Sequence, residues 1–262
     1  MTRWLRIFFV GGLIAYRGLF NWIRPAIYIP TMLGAPLFQL IFFTKLGEYA
    51  NAEDASFYIV GNAVQVCAMA SVYGMTMAVA NERWFGTLGP LLASPANRAA
   101  VFLGRGVPVF ANGLLVSAFG FTVGAVVLGF RPGWSVVPAL AAVVVVTALS
   151  CTAFGMLLGS IGLRAKDFFF AANLAYFLML LFCGVNIPIE SLAPWMEAVG
   201  RCLPLTHGII AAREVAGGAT LADVSGLVWT EALVGACYAA VAFGLFRLLE
   251  RESRRSAVLD AY

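Results

Sequence analysis

Residues 81–95, NERWFGTLGPLLASP, place an acid, a base and a hydroxyl together between two apolar runs. Glu82, Arg83 and Thr87 can form ion pairs and hydrogen bonds with another protein. On a helix that begins at Glu82, they lie away from the centre of an apolar face formed by Trp84, Phe85, Leu88, Leu91 and Leu92. The spacing predicts a short amphipathic helix. Two roles stay open for it: docking to a soluble partner, or lying on a membrane surface without one.

Side chains that commonly perform catalysis are sparse. A phosphate-binding loop needs a lysine followed by a hydroxyl residue, and neither Lys45 in FFTKLG nor Lys166 in RAKDF has the required neighbours. We therefore do not expect ATP hydrolysis on this chain. His207 is the single histidine, and the five cysteines form no C-x-x-C pair, so neither a metal site nor a disulfide framework is predicted. The cysteines are expected to be small buried apolar residues.

The elements that must position these residues are membrane helices. The chain is 61% hydrophobic and 11% charged, whereas soluble domains are about 45–50% apolar and about 25% charged. Long apolar runs without alternation favour helices over a β-barrel. A span needs about 20 apolar residues. Six segments are long and apolar enough to be spans: 27–46, 55–80, 107–130, 136–163, 168–187 and 225–249. The sequence therefore predicts an all-α polytopic fold with six transmembrane helices, which form a single membrane domain over residues 1–262.

The distribution of cations predicts the orientation. Positively charged residues are retained in cytoplasmic loops. Most of the 17 Lys and Arg residues fall at the N-terminus, in the 81–105 loop, in the 164–167 turn and at the C-terminus. The loops on the other side carry more acids than bases. Both termini and the 81–105 loop are therefore expected in the cytoplasm, and the chain in the inner (plasma) membrane.

The N-terminal segment, residues 1–24, is too short in its apolar part to cross a bilayer and contains Arg17. On one helix its four arginines share a side opposite Trp4, Phe8, Leu19 and Trp22: Arg3, Arg6, Arg17 and Arg24. This pattern is typical of an interfacial amphipathic helix with its arginines towards lipid phosphates. A simple cytoplasmic anchor formed by the positive charges stays open as the alternative.

The outer stretch between the fifth and sixth spans, residues 188–215, predicts two short helices. Leu192, Trp195, Met196 and Val199 give one apolar face, and a second helix follows Pro204. Helices of this length are expected to dip into the outer leaflet as re-entrant helices or to lie on it, and an ordinary amphipathic surface loop stays open as the alternative. Glu231 is the only ionisable candidate inside a span, which does not favour a proton-coupled carrier. Two glycine pairs, Gly120-x-x-x-Gly124 and Gly155-x-x-x-Gly159, predict close helix packing.

Two segments carry a family resemblance. The first, NERWFGTLGPLLASPANRAAVFLGR, resembles the E-R-x-x-G-T-L-x-x-L-L-x-S-P-x-x-R stretch of ATP-binding-cassette (ABC) export permeases of the type 2 family, which includes antibiotic, polysaccharide and lipid exporters. The second, GVNIPIESLAPWMEAVGRCLPLTHGIIAAREVAGG, is similar to that family's second signature. The resemblance covers essentially the whole chain.

The resemblance implies a transmembrane subunit that exports an amphiphilic or hydrophobic substrate by alternating access: a drug or antibiotic, a lipid or a lipid-linked glycan. A separate nucleotide-binding subunit would bind ATP and Mg, and this chain would hold no cofactor of its own. The resemblance also implies a second permease copy, most simply an identical one, and membrane lipid as partners. It implies no nucleic-acid partner. The implied ATPase-coupling residues are Glu82, Arg83, Gly86, Thr87 and Leu88. The implied outer gate contains Pro188, Leu192, Trp195, Pro204, His207 and Arg213.

The sequence departs from the family pattern at Gly89-Pro90. Proline inside a helix costs about 3 kcal/mol, so the coupling helix is expected to end at Leu88. A different class of function also stays open: a nucleotide-independent channel, or a membrane-embedded enzyme. An enzyme would be expected to show carboxylates or histidines facing each other at one depth, and the predicted spans contain none.

Overall fold

The computed structural model describes residues 12, 29–50, 53–84, 86, 98–162 and 168–256. These residues form eight α-helices joined by turns and contain no β-strand, in agreement with the predicted all-α membrane fold. A π-helical stretch, Ile29–Gly34, leads into the first helix, and a 3-10 turn, Ile189–Ser191, follows the fifth. The helices are α1 Ala35–Ala50, α2 Ala55–Trp84, α3 Arg98–Val127, α4 Val137–Gly162, α5 Phe168–Phe182, α6 Pro194–Cys202, α7 Thr206–Ala216 and α8 Ser225–Ser256.

Five segments of the described chain are long and apolar enough to cross a membrane: Ile29–Ala50, Ala55–Ala80, Val101–Val127, Val137–Gly162 and Ser225–Leu248. They match five of the six predicted spans. The prediction of a fifth span over 168–187 is too long, because α5 ends at Phe182 after 15 residues. Its length of about 22 Å is less than the hydrocarbon thickness of about 30 Å. Gly184 adopts a φ of 74°, which ends the helical path.

The boundaries of the 81–105 loop also differ from the prediction. α2 continues through Glu82 and Arg83 to Trp84, and α3 already begins at Arg98. Gly86 then adopts a φ of 66°, a left-handed conformation that commonly terminates helices. A separate helix starting at Glu82 is therefore wrong: the two charged residues lie in the last turn of α2. Thr87, Leu88 and the Gly89-Pro90 break lie outside the described residues.

α2 is the most buried of the five spans and lies at the centre of the bundle. Both predicted glycine pairs pack against it. A Cβ added at Gly155 of α4 would lie 2.6 Å from the Val72 carbonyl oxygen, and one at Gly159 would lie 2.6 Å from Val79. On α3, a Cβ at Gly124 would lie 2.5 Å from Ile59. The small residues thus permit the close helix approach that the sequence predicted.

The cysteines divide into two groups. All five are free, and Cys67, Cys151 and Cys183 are buried. Cys202 and Cys237 are exposed, so the expectation of burial is wrong for these two. Cys237 is exposed because its helix, α8, packs mainly along α4 and leaves much of its remaining surface uncovered.

Candidate functional site

The main cluster of buried polar contacts lies where the chain leaves α5. Residues 183–187 are irregular, yet Cys183, Gly184 and Val185 are buried. Irregular backbone at membrane depth needs protein donors and acceptors, because lipid supplies none. After the orientation predicted from the cation distribution, we call residues 183–216 the outer segment; it comprises this break, the 3-10 turn, α6 and α7.

Arg213 of α7 supplies the donors for the break. Its Nη1 donates to the Gly184 carbonyl at 2.7 Å and its Nη2 to the Val185 carbonyl at 2.8 Å. Nε and Nη2 also donate to the carbonyl of Phe57 in α2 at 3.3 and 3.2 Å. The guanidinium carbon lies 3.4 Å from the centre of the Phe57 ring. One side chain therefore joins α7, the break after α5 and the start of α2.

The charge of Arg213 is largely removed from solvent. Burial lowers the pKa of its guanidinium to about 9, while the nearby carboxylates of Glu53 and Glu190 act in the opposite direction. The group therefore stays cationic at neutral pH. Gly61 makes room for it, because a Cβ there would lie 2.4 Å from the Val185 carbonyl oxygen and 2.6 Å from Arg213 Nη2.

A chain of neutral polar groups extends from the break to α1. Asn62 of α2 donates to Asn186 Oδ1 at 2.8 Å, and Gln39 of α1 donates to Asn62 Oδ1 at 3.0 Å. The Tyr176 hydroxyl of α5 donates to Gln39 Oε1 at 2.5 Å. Gln65, one turn after Asn62, is fully buried, and its carboxamide has no hydrogen-bond partner among the described residues. Sequence reasoning missed this network, although Asn62 and Gln65 interrupt an apolar run at helical spacing.

The N-terminus of α7 is held by a carboxylate from α8. Glu231 is buried, and its Oε1 accepts a hydrogen bond from the Leu205 amide at 2.8 Å. Its Oε2 accepts one from the Gly208 amide at 3.2 Å. Leu205 has a φ of 98°, an unfavourable conformation for a branched side chain, and α7 has no side-chain cap of its own. Glu231 therefore satisfies amides that the first turn of α7 would otherwise bury unpaired.

His207 lies beside this carboxylate, with Nδ1 3.9 Å from Glu231 Oε2. Burial lowers the pKa of the imidazole, and the positive charge of Arg201 lowers it further. The imidazole is therefore neutral at pH 7. The fold brings together a carboxylate and a histidine that the sequence analysis did not expect to face each other.

The predicted outer-gate residues occupy two environments. Arg213, His207 and Pro204 belong to the packed part, where the Pro204 carbonyl accepts a contact of 3.8 Å from the Cys183 thiol. Pro188 precedes the 3-10 turn and Leu192 ends it. Trp195 is exposed on α6, with its ring 5.7 Å from that of Phe182. The two predicted short helices are present as α6 and α7, and α7 packs against α2, α4 and α8.

At the other end of α2, far from the outer segment, the structure describes only part of the predicted coupling region. Glu82, Arg83 and Gly86 follow one another at and just after the end of α2. The arginines of the predicted interfacial helix, Arg3, Arg6, Arg17 and Arg24, lie outside the described residues. Gly12 is described: it is helical, and a Cβ there would lie 2.6 Å from the carbonyl oxygen of Gly104 in α3. Pro108 cannot donate to that carbonyl within the helix, because it lacks an amide hydrogen.

No group of three or more metal-ligating side chains occurs in the ranges that the structure describes. The arrangement is that of buried hydrogen bonds linking helices, and nothing in it resembles a nucleophile with an adjacent base. These contacts hold the outer segment against α2 and α8.

Comparison with known proteins agrees with this architecture. The family model described as "ABC-2 type transporter" matches residues 12–216. The "Probable multidrug ABC transporter permease YbhR" of Escherichia coli strain K12 is 24% identical over 202 residues, which cover 74% of this chain and 53% of that protein. The protein of the same name in Escherichia coli O157:H7 matches equally. The chain thus spans about half the length of these curated relatives. Because the family model covers most of the chain, including the break, α6 and α7, this polytopic membrane protein belongs to the ABC-2 type transporter family as a permease.

Proposed function

We propose that this chain is the transmembrane subunit of an ATP-driven exporter in which α2 transmits movement between a cytoplasmic ATPase contact and the outer segment. The observation that carries the proposal is the continuity of α2 over 30 residues, a length of about 45 Å. Near one end, the Phe57 carbonyl is bound by Arg213. The last turn at the other end contains Glu82 and Arg83. A displacement of the Glu82–Arg83 end of α2 would therefore move Phe57 and, through Arg213, the outer segment.

The proposal includes a separate nucleotide-binding subunit that binds ATP and Mg and contacts Glu82, Arg83, Gly86, Thr87 and Leu88. Residues 1–24 would form an interfacial helix near the same subunit. Both chain termini would lie in the cytoplasm, in the plasma membrane of the cell. Two copies of the permease, most simply identical ones, would enclose the path.

The substrate would be amphiphilic or hydrophobic: a drug or antibiotic, a lipid or a lipid-linked glycan. The curated relatives carry "multidrug" in their name, which supports the first of these.

Co-purification tests the ATPase contact. The tagged chain, expressed in its native host and solubilised in a mild detergent, should co-purify with an ATP-binding subunit. The double variant Glu82→Ala, Arg83→Ala should lose most of that subunit and most ATP-dependent export. The matched control is Lys45→Ala with Glu48→Ala, which removes an exposed acid–base pair, 2.7 Å apart, at the far end of α1. Retention of the subunit and of export in the Glu82–Arg83 variant would refute the coupling role.

Transport in proteoliposomes separates the exporter from a passive channel. An ATP-driven exporter should move an amphiphilic dye only when the ATPase subunit and ATP are present. Equal flux without ATP would identify a nucleotide-independent channel instead. Chemical conversion of the dye or of lipid by the isolated chain would favour a membrane-embedded enzyme.

A further inference from the structure

A groove on the side of the bundle lies outside the outer segment and the coupling region. α3 and α8 flank α4 and meet where the rings of Phe102 and Phe246 stack with their centres 4.2 Å apart. Beyond this contact the two helices enclose a cavity of about 480 Å³, with α4 and Met75 of α2 as its floor. Its volume is within the range of small-molecule sites, about 300–1,000 Å³.

Small residues create this groove. The α8 wall consists of Ala232, Gly235, Ala236 and Ala239, and the α3 wall includes Gly106. A Cβ at Gly106 would meet Thr152 only at 3.6 Å and Met75 at 3.9 Å. Glycine is therefore not needed there for close helix packing, and its effect is to leave space open.

The groove opens sideways into the apolar layer. Leu103 and Val107 on its rim and Leu149 on its floor are about half exposed. The stacked Phe102 and Phe246 rings close one end, so a transmembrane helix about 10 Å wide could not pass along it. An acyl chain is thin enough to enter from the side. An apolar groove of this kind is not stably filled by water, which requires polar partners.

Cations lie at the closed end. The Arg105 guanidinium carbon is 5.7 Å from the centre of the Phe102 ring, and one of its nitrogens donates to the Ala78 carbonyl at 3.4 Å. Arg247 follows Phe246 directly and is exposed. Basic pockets between membrane helices on the cytoplasmic side bind anionic lipid headgroups.

We propose that this groove is a binding site for an anionic phospholipid of the cytoplasmic leaflet, with one acyl chain along Gly106 and Ala236 and the phosphate near Arg105 and Arg247. The proposal rests on the orientation given under the proposed function, which puts the Phe102–Phe246 end in the cytoplasmic leaflet. It requires neither the ATPase subunit nor transport.

Photo-crosslinking tests the site on the full chain in phosphatidylcholine liposomes, without ATPase or ATP. The probes are trace phosphatidylglycerol and phosphatidylcholine analogues with the same diazirine-bearing acyl chain. Peptide mass spectrometry should find phosphatidylglycerol adducts on residues 102–110 and 232–239 at about fivefold or more over phosphatidylcholine adducts. Arg105→Gln with Arg247→Gln should make the two probes equal at this groove.

Gly106→Leu should fill the groove and remove most of these adducts while leaving those on the exposed face of α1. Its matched control is Gly244→Leu, since Gly244 also lies within a helix and has nothing within 4 Å of an added Cβ. Ala236→Leu serves if Gly106→Leu does not fold. Equal labelling by both probes in the unmodified protein, or equal labelling of the Gly106 and Gly244 variants, overturns the proposal. Displacement of the adducts by ethidium would also overturn it and make the groove a site for exported cations. The crosslinking experiment measures no transport, so a negative result would not contradict the exporter proposal. Loss of the exporter proposal in the co-purification and transport experiments would likewise not contradict the lipid site.

Discussion

Arg213 Nη1 donates to the carbonyl oxygen of Gly184 at 2.7 Å, and this bond joins the short helix α7 to the point where α5 stops. The same guanidinium reaches Val185 and, in α2, Phe57. The two carbonyls of the break, which would be costly to bury unpaired, therefore depend on one planar side chain, while the Phe57 carbonyl lies within α2 and receives a helical hydrogen bond as well.

Replacing Arg213 should consequently destabilise the protein. Arg213→Gln should lower the free energy of unfolding by about 3–5 kcal/mol, because it removes a buried charged group and leaves the carbonyls of Gly184 and Val185 without their donors. Arg213→Lys should recover only part of this loss, since an ammonium cannot present the fork of donors. Thermal unfolding in detergent measures both. Arg201→Gln is the control: its pair with Glu197 is exposed, and its removal should cost about 1 kcal/mol or less. Similar losses for Arg201→Gln and Arg213→Gln would contradict the argument.

Glu231→Gln should loosen the start of α7. The neutral carboxamide can accept from only one of the two amides, and it loses a charge-assisted hydrogen bond of about 1.5–3 kcal/mol. Cys183, buried and in contact with the Pro204 carbonyl, reports the opening in a background where the other four cysteines are alanine. A membrane-permeant maleimide should label it about ten- to a hundredfold faster in the variant. Glu190→Gln, an exposed acid in the adjacent 3-10 turn, should leave the rate unchanged. An unchanged rate in Glu231→Gln would refute the cap.

The glycines that face α2 should not tolerate a methyl group. Gly155→Ala would put a carbon 2.6 Å from the Val72 carbonyl oxygen and should cost about 1–3 kcal/mol through overpacking. Gly244→Ala meets nothing within 4 Å and should be neutral or slightly stabilising, since alanine loses less backbone entropy on folding. Thermal unfolding of the two variants side by side is the measurement, and equal melting temperatures would argue against close packing of α4 on α2.

Acidification should weaken the fold through His207. Because burial lowers the pKa of His207 below its ordinary value of 6.5, the unfolded chain binds a proton at a higher pH than the folded chain does. The contribution of this residue is therefore fully present above pH 6.5 and declines as the pH falls through the folded pKa. The melting temperature should drop more between pH 7.5 and pH 5 in the unmodified protein than in His207→Gln. A smaller drop in the unmodified protein would show that Glu231 holds His207 protonated instead.

The parts of the fold that could be predicted are those that depend on the pattern of residues within one segment of the sequence. Five spans, the two short helices α6 and α7 and the close glycine packing follow from apolar run length, helical spacing and residue size within single segments. The end of α5 was misplaced because residues 183–187 are as apolar as a helix, and their departure from it depends on donors supplied by Arg213, 28 or more positions away. The sequence pattern predicts the end of α2 too early, because Glu82 and Arg83 resemble the polar start of a new helix, whereas α2 ends just after them, before Gly86.

The sequence by itself determined that this chain is a helical membrane protein without a nucleotide-binding loop, because composition and motif spacing are properties of the linear chain. Only the tertiary structure decided which polar groups meet. Glu231 reaches amides 26 and 23 residues away, and Asn62 reaches Asn186 across 124 residues. Such pairs depend on how helices cross and where they break. Buried polar groups need partners wherever the fold puts them, and no local pattern encodes which partner that will be.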